Sequence, residues 1–234
     1  MCTVTYLPTA ENGFILTSNR DEKIIRPAAT EPTTEIISGR EVSFPRDPKA
    51  GGTWIAASKD RTVCLLNGAF AKHFVNPSYK KSRGLVVLEC FAYADVHEFL
   101  IKYDFGGIEP FTLLIWSEQE LCELRWDFEK IHYRKLDKNL PQIWSSVTLY
   151  SDEIISKRSF WFRQWVEKFL SPNLEDIRKF HRFTGDGDTN NDLIMNREGQ
   201  MLTVSMTSIV KTSDKVEIIY EDLLSQQIQS SLVD

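Results

Sequence analysis

Cys2-Thr3-Val4-Thr5-Tyr6-Leu7, then Glu11-Asn12-Gly13, then Phe14-Ile15-Leu16-Thr17-Ser18-Asn19-Arg20-Asp21-Glu22: this opening stretch decides the fold. Its first part is rich in Thr, Val and Tyr, which predicts a strand over 2–7. Glu11-Asn12-Gly13 is a turn signal, and 14–19 reads as the returning strand. Antiparallel pairing sets the start of one strand beside the end of the next. Cys2 is therefore expected close to residues 19–21. The Asn-Arg-Asp-Glu run reads as a turn where the second strand stops.

Outward from this hairpin, residues 53–57 and 63–67 form a second one around Lys59-Asp60-Arg61. The Pro/Gly/polar stretch 26–52 between the two reads as a long loop, a length that goes with covering a site. Ser82 caps a helix carrying Leu85, Leu88, Phe91 and Ala92. Asp95 followed by Glu98 restarts a helix. Strands are expected at 111–116, 121–126, 131–136 and 142–149. Ser151-Asp152-Glu153 opens a helix with Phe162 and Trp165 on one face, and Ser171-Pro172 opens another through Phe180. Strands near 193–195, 201–209 and 216–220 close the chain. Runs of strands alternating with helix pairs predict an α+β fold of two antiparallel sheets packed face to face with helices outside, an αββα sandwich. All 234 residues are assigned to a single domain, 1–234.

A net charge of −5 excludes a nucleic-acid or anionic-membrane footprint. No apolar run is long enough to span a bilayer. The N-terminus has neither a basic region nor an apolar core, so no signal peptide is expected and the location is taken as cytoplasmic. Cys64, Cys90 and Cys122 sit in apolar stretches and read as buried thiols. His73, His97, His132 and His181 have no zinc-type spacing. His73, on a loop after Asn67, is the one best placed to border a pocket. Asp186, Asp188, Asn190 and Asp192 alternate like a calcium loop but lack its Gly and its Glu, so a solvated acidic loop is expected. Gly51-Gly52 lacks the lysine of a phosphate loop and reads as room for close packing before Trp54. No metal and no cofactor is called for.

Cys2 carries the chemistry. With Met1 removed, one residue holds both a thiol and a free α-amine, with ordinary pKa values of about 8.5 and about 7.7–8.0. The amine then serves as base for its own thiol. Asp21 is a candidate to hold the α-ammonium. Arg20 is a candidate to lower the thiol pKa or bind a substrate carbonyl or carboxylate. Asn67, ending a strand, is a candidate oxyanion donor.

Met1-Cys2, Asn19-Arg20-Asp21-Glu22, Arg26-Pro27, Arg46-Asp47, Ala50-Gly51-Gly52-Thr53-Trp54, Asn67 and Ser82-Arg83-Gly84 occur in that order. This ordered set, over the first 85 residues, resembles the NRDE family, also called the Transport and Golgi organisation 2 family. The family is grouped with N-terminal-nucleophile hydrolases and is similar at its start to the choloylglycine hydrolase and penicillin acylase enzymes. The resemblance implies Cys2 as nucleophile, Asp21 as the amine-holding carboxylate, Arg20 beside them and Asn67 as an oxyanion donor. Asn19, Arg26, Trp54 and His73 are the candidate substrate-binding residues. Two positions depart from the family pattern: Ser145-Ser146 replaces a Ser-Asn pair, and Thr203-Val204-Ser205 lacks an arginine. The implied activity is cleavage of a small C–N amide. The alternative is a non-catalytic carrier using the same pocket for a small hydrophobic ligand, haem among them. The expected partner is a small molecule in either case.

Overall fold

A computed structural model describes residues 3–10, 12–74, 78–169 and 171–233. Cys2 lies outside the described residues. The first sheet contains β1 (Thr3–Pro8), β2 (Phe14–Lys23), β10 (Gln142–Ser145), β11 (Asn196–Arg197), β12 (Met201–Lys211), β13 (Val216–Asp222) and β14 (Gln227–Val233). Its order is β10-β1-β2-β12-β13-β14, with β11 paired to β12. The second sheet is an antiparallel meander in chain order: β3 (Thr33–Ile37), β4 (Arg40–Phe44), β5 (Ile55–Ala57), β6 (Arg61–Asn67), β7 (Phe111–Ser117), β8 (Leu121–Trp126) and β9 (Ile131–Leu136).

Strand alternation builds the layers. In the first sheet Val4, Tyr6, Phe14 and Leu16 face inward and meet Ile55, Cys64, Leu66 and Leu114 of the second sheet. The intervening Leu7 and Ile15 face outward and pack against Phe162 of α3 (Asp152–Lys168) and Ile177 and Phe180 of α4 (Leu174–Phe183). The outer face of the second sheet, with Val63, Leu65, Leu113 and Leu124, is covered by Val86 and Val87 of α1 (Arg83–Glu89) and Phe99 of α2 (Val96–Lys102). The order of layers is α1/α2, second sheet, first sheet, α3/α4, the expected αββα sandwich.

The caps follow the sequence signals. Ser82 accepts from Gly84 N at 3.3 Å, Asp95 from Glu98 N at 2.8 Å, and Ser151 from Ile154 N at 3.4 Å. For α4 the cap is Asn173, in a reciprocal box with Asp176, two residues beyond the expected Ser171-Pro172 start.

Three expectations are corrected. Residues 26–52 are not one loop, because Thr33–Ile37 and Arg40–Phe44 pair as a hairpin. Its two-residue turn, Ser38-Gly39, has φ of 50° and 84°, the positive pair that a tight hairpin of this twist needs. The Asn-Arg-Asp-Glu run is not a turn, since β2 continues to Lys23 through pairing with β12. β14 was not foreseen: its polar Gln227, Gln229, Ser230 and Ser231 conceal an edge strand that inserts only Val233 into the intersheet core.

Candidate functional site

Thr3, covalently next to Cys2, pairs with Asn19 on one side and Ser145 on the other. The expected proximity of the start of β1 to the end of β2 therefore holds for the described residues. At this end of the sandwich lies a cavity of about 130 Å³ lined by Arg20, Glu22, Arg26, Asp47, Trp54, Asn67, Arg83 and neighbouring backbone. Residues 45–54, which follow the β3–β4 hairpin, form one wall. Larger hollows lie elsewhere, such as one beside Phe70, Arg125 and Arg134, but they do not gather the candidate residues.

Arg20 is 4% exposed and faces the space between the sheets, with its guanidinium 4.7 Å from the centre of the Trp54 ring. Its Nη2 donates to Asp47 Oδ2 at 2.8 Å, and Arg26 Nε donates to the same oxygen at 2.7 Å. Glu22 lies 3.5 Å from both guanidiniums. Asp47 Oδ1 accepts from the backbone N–H of Lys49 and Ala50 at 3.0 and 3.2 Å, which fixes the cavity wall. Burial works against the Asp47 charge, but the hydrogen bond and charge of Arg26 and the charge of Arg20 hold its carboxyl below the usual range. Trp54 Nε1 is buried without a hydrogen-bond partner.

Arg83, at the start of α1, closes the other wall. Its Nη1 donates to Pro110 O at 3.2 Å and lies 3.1 Å from Glu109. Burial draws its pKa down and Glu109 opposes that shift. The wall is kept thin by a close approach of backbones. A Cβ on Gly52 would stand 2.6 Å from Gly84 O, and Thr53 N donates to that same oxygen at 3.1 Å. The reading of Gly51-Gly52 as room for close packing thus applies to Gly52.

Asn67, at the end of β6, lines the cavity, and its backbone oxygen accepts from Ser146 Oγ at 2.9 Å. Ser146, at the departure from the family pattern, braces the end of β6 that carries Asn67. Ser205 is paired opposite Arg20 at a β-bulge in β12.

Three expected members lie elsewhere. Asp21 is not in the cavity, because consecutive strand residues point to opposite faces and Arg20 takes the inner one. Asp21 is 4% exposed on the helix side, accepting from Tyr150 Oη and Thr203 Oγ1, each at 2.6 Å. Asn19, fully buried on that same outer face, spends its amide on Leu193 O at 2.8 Å and His181 O at 3.3 Å. It fastens the sheet to α4 and does not reach the cavity. His73 also stands outside the lining: its Nε2 is 3.0 Å from Glu109, which bridges to Arg83.

A supporting cluster behind Thr3 was missed in the sequence. Arg158 of α3 is completely buried, donates to Thr3 Oγ1 and to the carbonyls of Asn191 and Asp192, and lies 3.7 Å from the centre of the Tyr150 ring. Tyr150 in turn donates to Asp21. His181 of α4 is also completely buried, contacting Thr5 Oγ1 at 2.8 Å and Asn19 Oδ1 at 3.1 Å. Burial, with Arg178 and Arg158 nearby, pushes its pKa down to about 3. The available signal was positional: Ile177, Phe180 and His181 share the helix face that packs on the sheet.

Cys64, Cys90 and Cys122 are buried and free, as expected. Burial pushes the Cys64 thiol up to about 12 and the Cys90 thiol up to about 11. In the acidic loop, Asp186 pairs with Lys157 and Asp188 accepts from Asn191. Among the described residues no group of side chains is arranged to hold a metal ion.

Fold and cavity together define a four-layer α+β protein with a charged cleft at one mouth of its sandwich, built where the chain begins. The family model described as Transport and Golgi organisation 2 matches residues 1–163, and the chain belongs to that family. The matched span includes every residue that lines the cavity; α4 and β11 to β14 lie beyond it. No curated protein matches the chain. No helix among the described residues is long and apolar enough to cross a membrane.

Proposed function

We propose that the protein is a cysteine N-terminal-nucleophile hydrolase that cleaves a small C–N amide bond after removal of Met1. The observation that carries this reading is the seating of Thr3 between Asn19 and Ser145, at the sheet end where Arg20 and Asn67 line a cavity. Cys2 is the residue joined to Thr3. In the proposed reaction its thiol gives its proton to the α-amine and the sulfur attacks the amide carbon. The Asn67 amide stabilises the oxyanion. The protonated amine then passes the proton to the leaving nitrogen, and water resolves the thioester to a carboxylate, restoring the thiol.

Arg20 and Asp21 divide the work between the two faces of β2. Arg20 supplies positive potential on the cavity side. Asp21, oriented by Tyr150 and Thr203, holds the α-ammonium from the helix side. A cavity of about 130 Å³ lined mainly by charged and polar groups suits a small polar amide better than the apolar face of a macrocycle.

The test is peptide mapping after brief iodoacetamide treatment, on protein whose intact mass shows Met1 removed. We expect Cys2 to be alkylated much faster than Cys64, Cys90 or Cys122, whose thiols are buried. Asp21→Asn should alter the Cys2 rate. Labelling of Cys2 no faster than a free model thiol, with no response to Asp21→Asn, would overturn the proposal.

A further inference from the structure

We infer that the cavity is a carboxylate-binding site and that the substrate is a small amide bearing a carboxylate; the second half rests on the hydrolase reading above. The protein uses little of the cavity's donor capacity. Arg26 commits its Nε to Asp47 and Arg83 commits its Nη1 to Glu109 and Pro110. Among the described residues the other N–H groups of these two guanidiniums have no hydrogen-bond partner, and none is sealed in the protein. The two side chains are 25% and 17% exposed, and both line the cavity.

The acceptors there are already engaged. Asp47 takes two arginines and two backbone N–H groups, and Glu22 faces Arg20 and Arg26. What remains is a set of donors that line one cavity together with Asn67. Guanidinium forks match the two oxygens of a planar carboxylate. Charge selects among anions. The three arginines face three carboxylates, Asp47, Glu22 and Glu109, and this near balance suits a monoanionic carboxylate better than a phosphate dianion. The cavity admits one such group with the adjoining amide, and its polar lining offers little to a long acyl chain.

The test uses the full chain as Cys2→Ser, so that binding is measured without turnover. Calorimetric titrations with N-acetylglycine, its neutral amide N-acetylglycinamide and inorganic phosphate separate charge, shape and anion type. We expect one saturable site for N-acetylglycine, binding of the neutral amide at least tenfold weaker, and phosphate weaker than the acid. Arg83→Gln should weaken N-acetylglycine at least tenfold, while Arg134→Gln, remote on β9, should not. If Arg83→Gln does not fold, Arg26→Gln is the second probe, and the same loss is expected. Equal binding of acid and amide, tighter binding of phosphate, or indifference to both arginine variants overturns the inference. The two readings fail separately. Carboxylate binding without any Cys2 reactivity in the wild type leaves the site and removes the hydrolase. Fast Cys2 chemistry with turnover of neutral amides alone leaves the hydrolase and removes the site.

Discussion

Arg20 and Asp21 are consecutive in β2 yet work on opposite faces of its sheet: Arg20 stacks on Trp54 between the sheets, and Asp21 accepts from Tyr150 and Thr203 beneath the helices. The pleat separates two charges that would otherwise neutralise each other. Each is then bound into its own network, and the start of β1 is the element both networks touch through β2 and Arg158.

The Asp21 network predicts the behaviour of Tyr150→Phe. The ring stays to pack under Arg158, so only the hydroxyl is lost. Removing one donor to a buried carboxylate costs about 1–3 kcal/mol. Urea denaturation should show a loss of that size with an unchanged m value. A neutral result would mean that water replaces the hydroxyl at Asp21.

Gly52 predicts a steric effect. Its missing Cβ would press on the backbone of Gly84, which cannot rotate away as a side chain can. Overpacking of this kind costs about 1–3 kcal/mol, so Gly52→Ala should lower the thermal midpoint by several degrees. Gly106→Ala meets only the Asp104 side chain at 3.0 Å and is the control expected to change little.

His181 predicts a pH dependence. Its folded pKa is depressed to about 3, against an ordinary value of about 6.5. The unfolded state therefore binds a proton that the folded state refuses. Its contribution to stability is complete above pH 6.5 and falls as pH drops toward 3, at up to about 1.4 kcal/mol per unit. Between pH 6.5 and 5 few carboxylates titrate, so the wild-type decline there should exceed that of His181→Gln. Parallel curves for the two proteins would show that His181 gains its proton while folded.

The layer order was legible because the strands of the intersheet core keep strict alternation and the helices carry plain caps, as at Ser82, Asp95 and Ser151. What escaped reading had other causes. β2 runs past Asn19 because β12 pairs with it to Lys23, and no local propensity announces a partner about 180 residues away. β14 is held by an edge ladder instead of a buried face, so its polar sequence hides it. At the site, Arg20, Arg26, Trp54 and Asn67 were identified from motif residues, and they do line one cavity. Asn19 was misjudged because a motif does not say which face a strand residue takes. Arg158, Tyr150 and His181 were missed because a buried polar side chain is identified by its partners, and these come from distant segments.

Asp47 gives the last prediction, in which stability and binding move in opposite directions. Asp47→Asn keeps an oxygen for the Lys49 and Ala50 N–H groups but removes the charge that Arg20 and Arg26 share. Breaking a buried ion pair from one side costs about 3–5 kcal/mol. Arg26 is a quarter exposed and water can take up part of that loss, so a decrease of about 2 kcal/mol near pH 7 is expected. The Asp47 carboxyl is held below its ordinary range, so its contribution is present above about pH 4 and is lost as pH falls through the lowered value. The deficit of Asp47→Asn relative to wild type should therefore shrink in acid. In the same variant two arginines are released from their shared acceptor, and the cavity gains one net positive charge. N-acetylglycine should then bind more tightly than to the Cys2→Ser parent, with a steeper loss of affinity in salt. A fall in both stability and anion affinity would mean that Asp47 holds the guanidiniums in their binding positions instead of competing with the ligand for them.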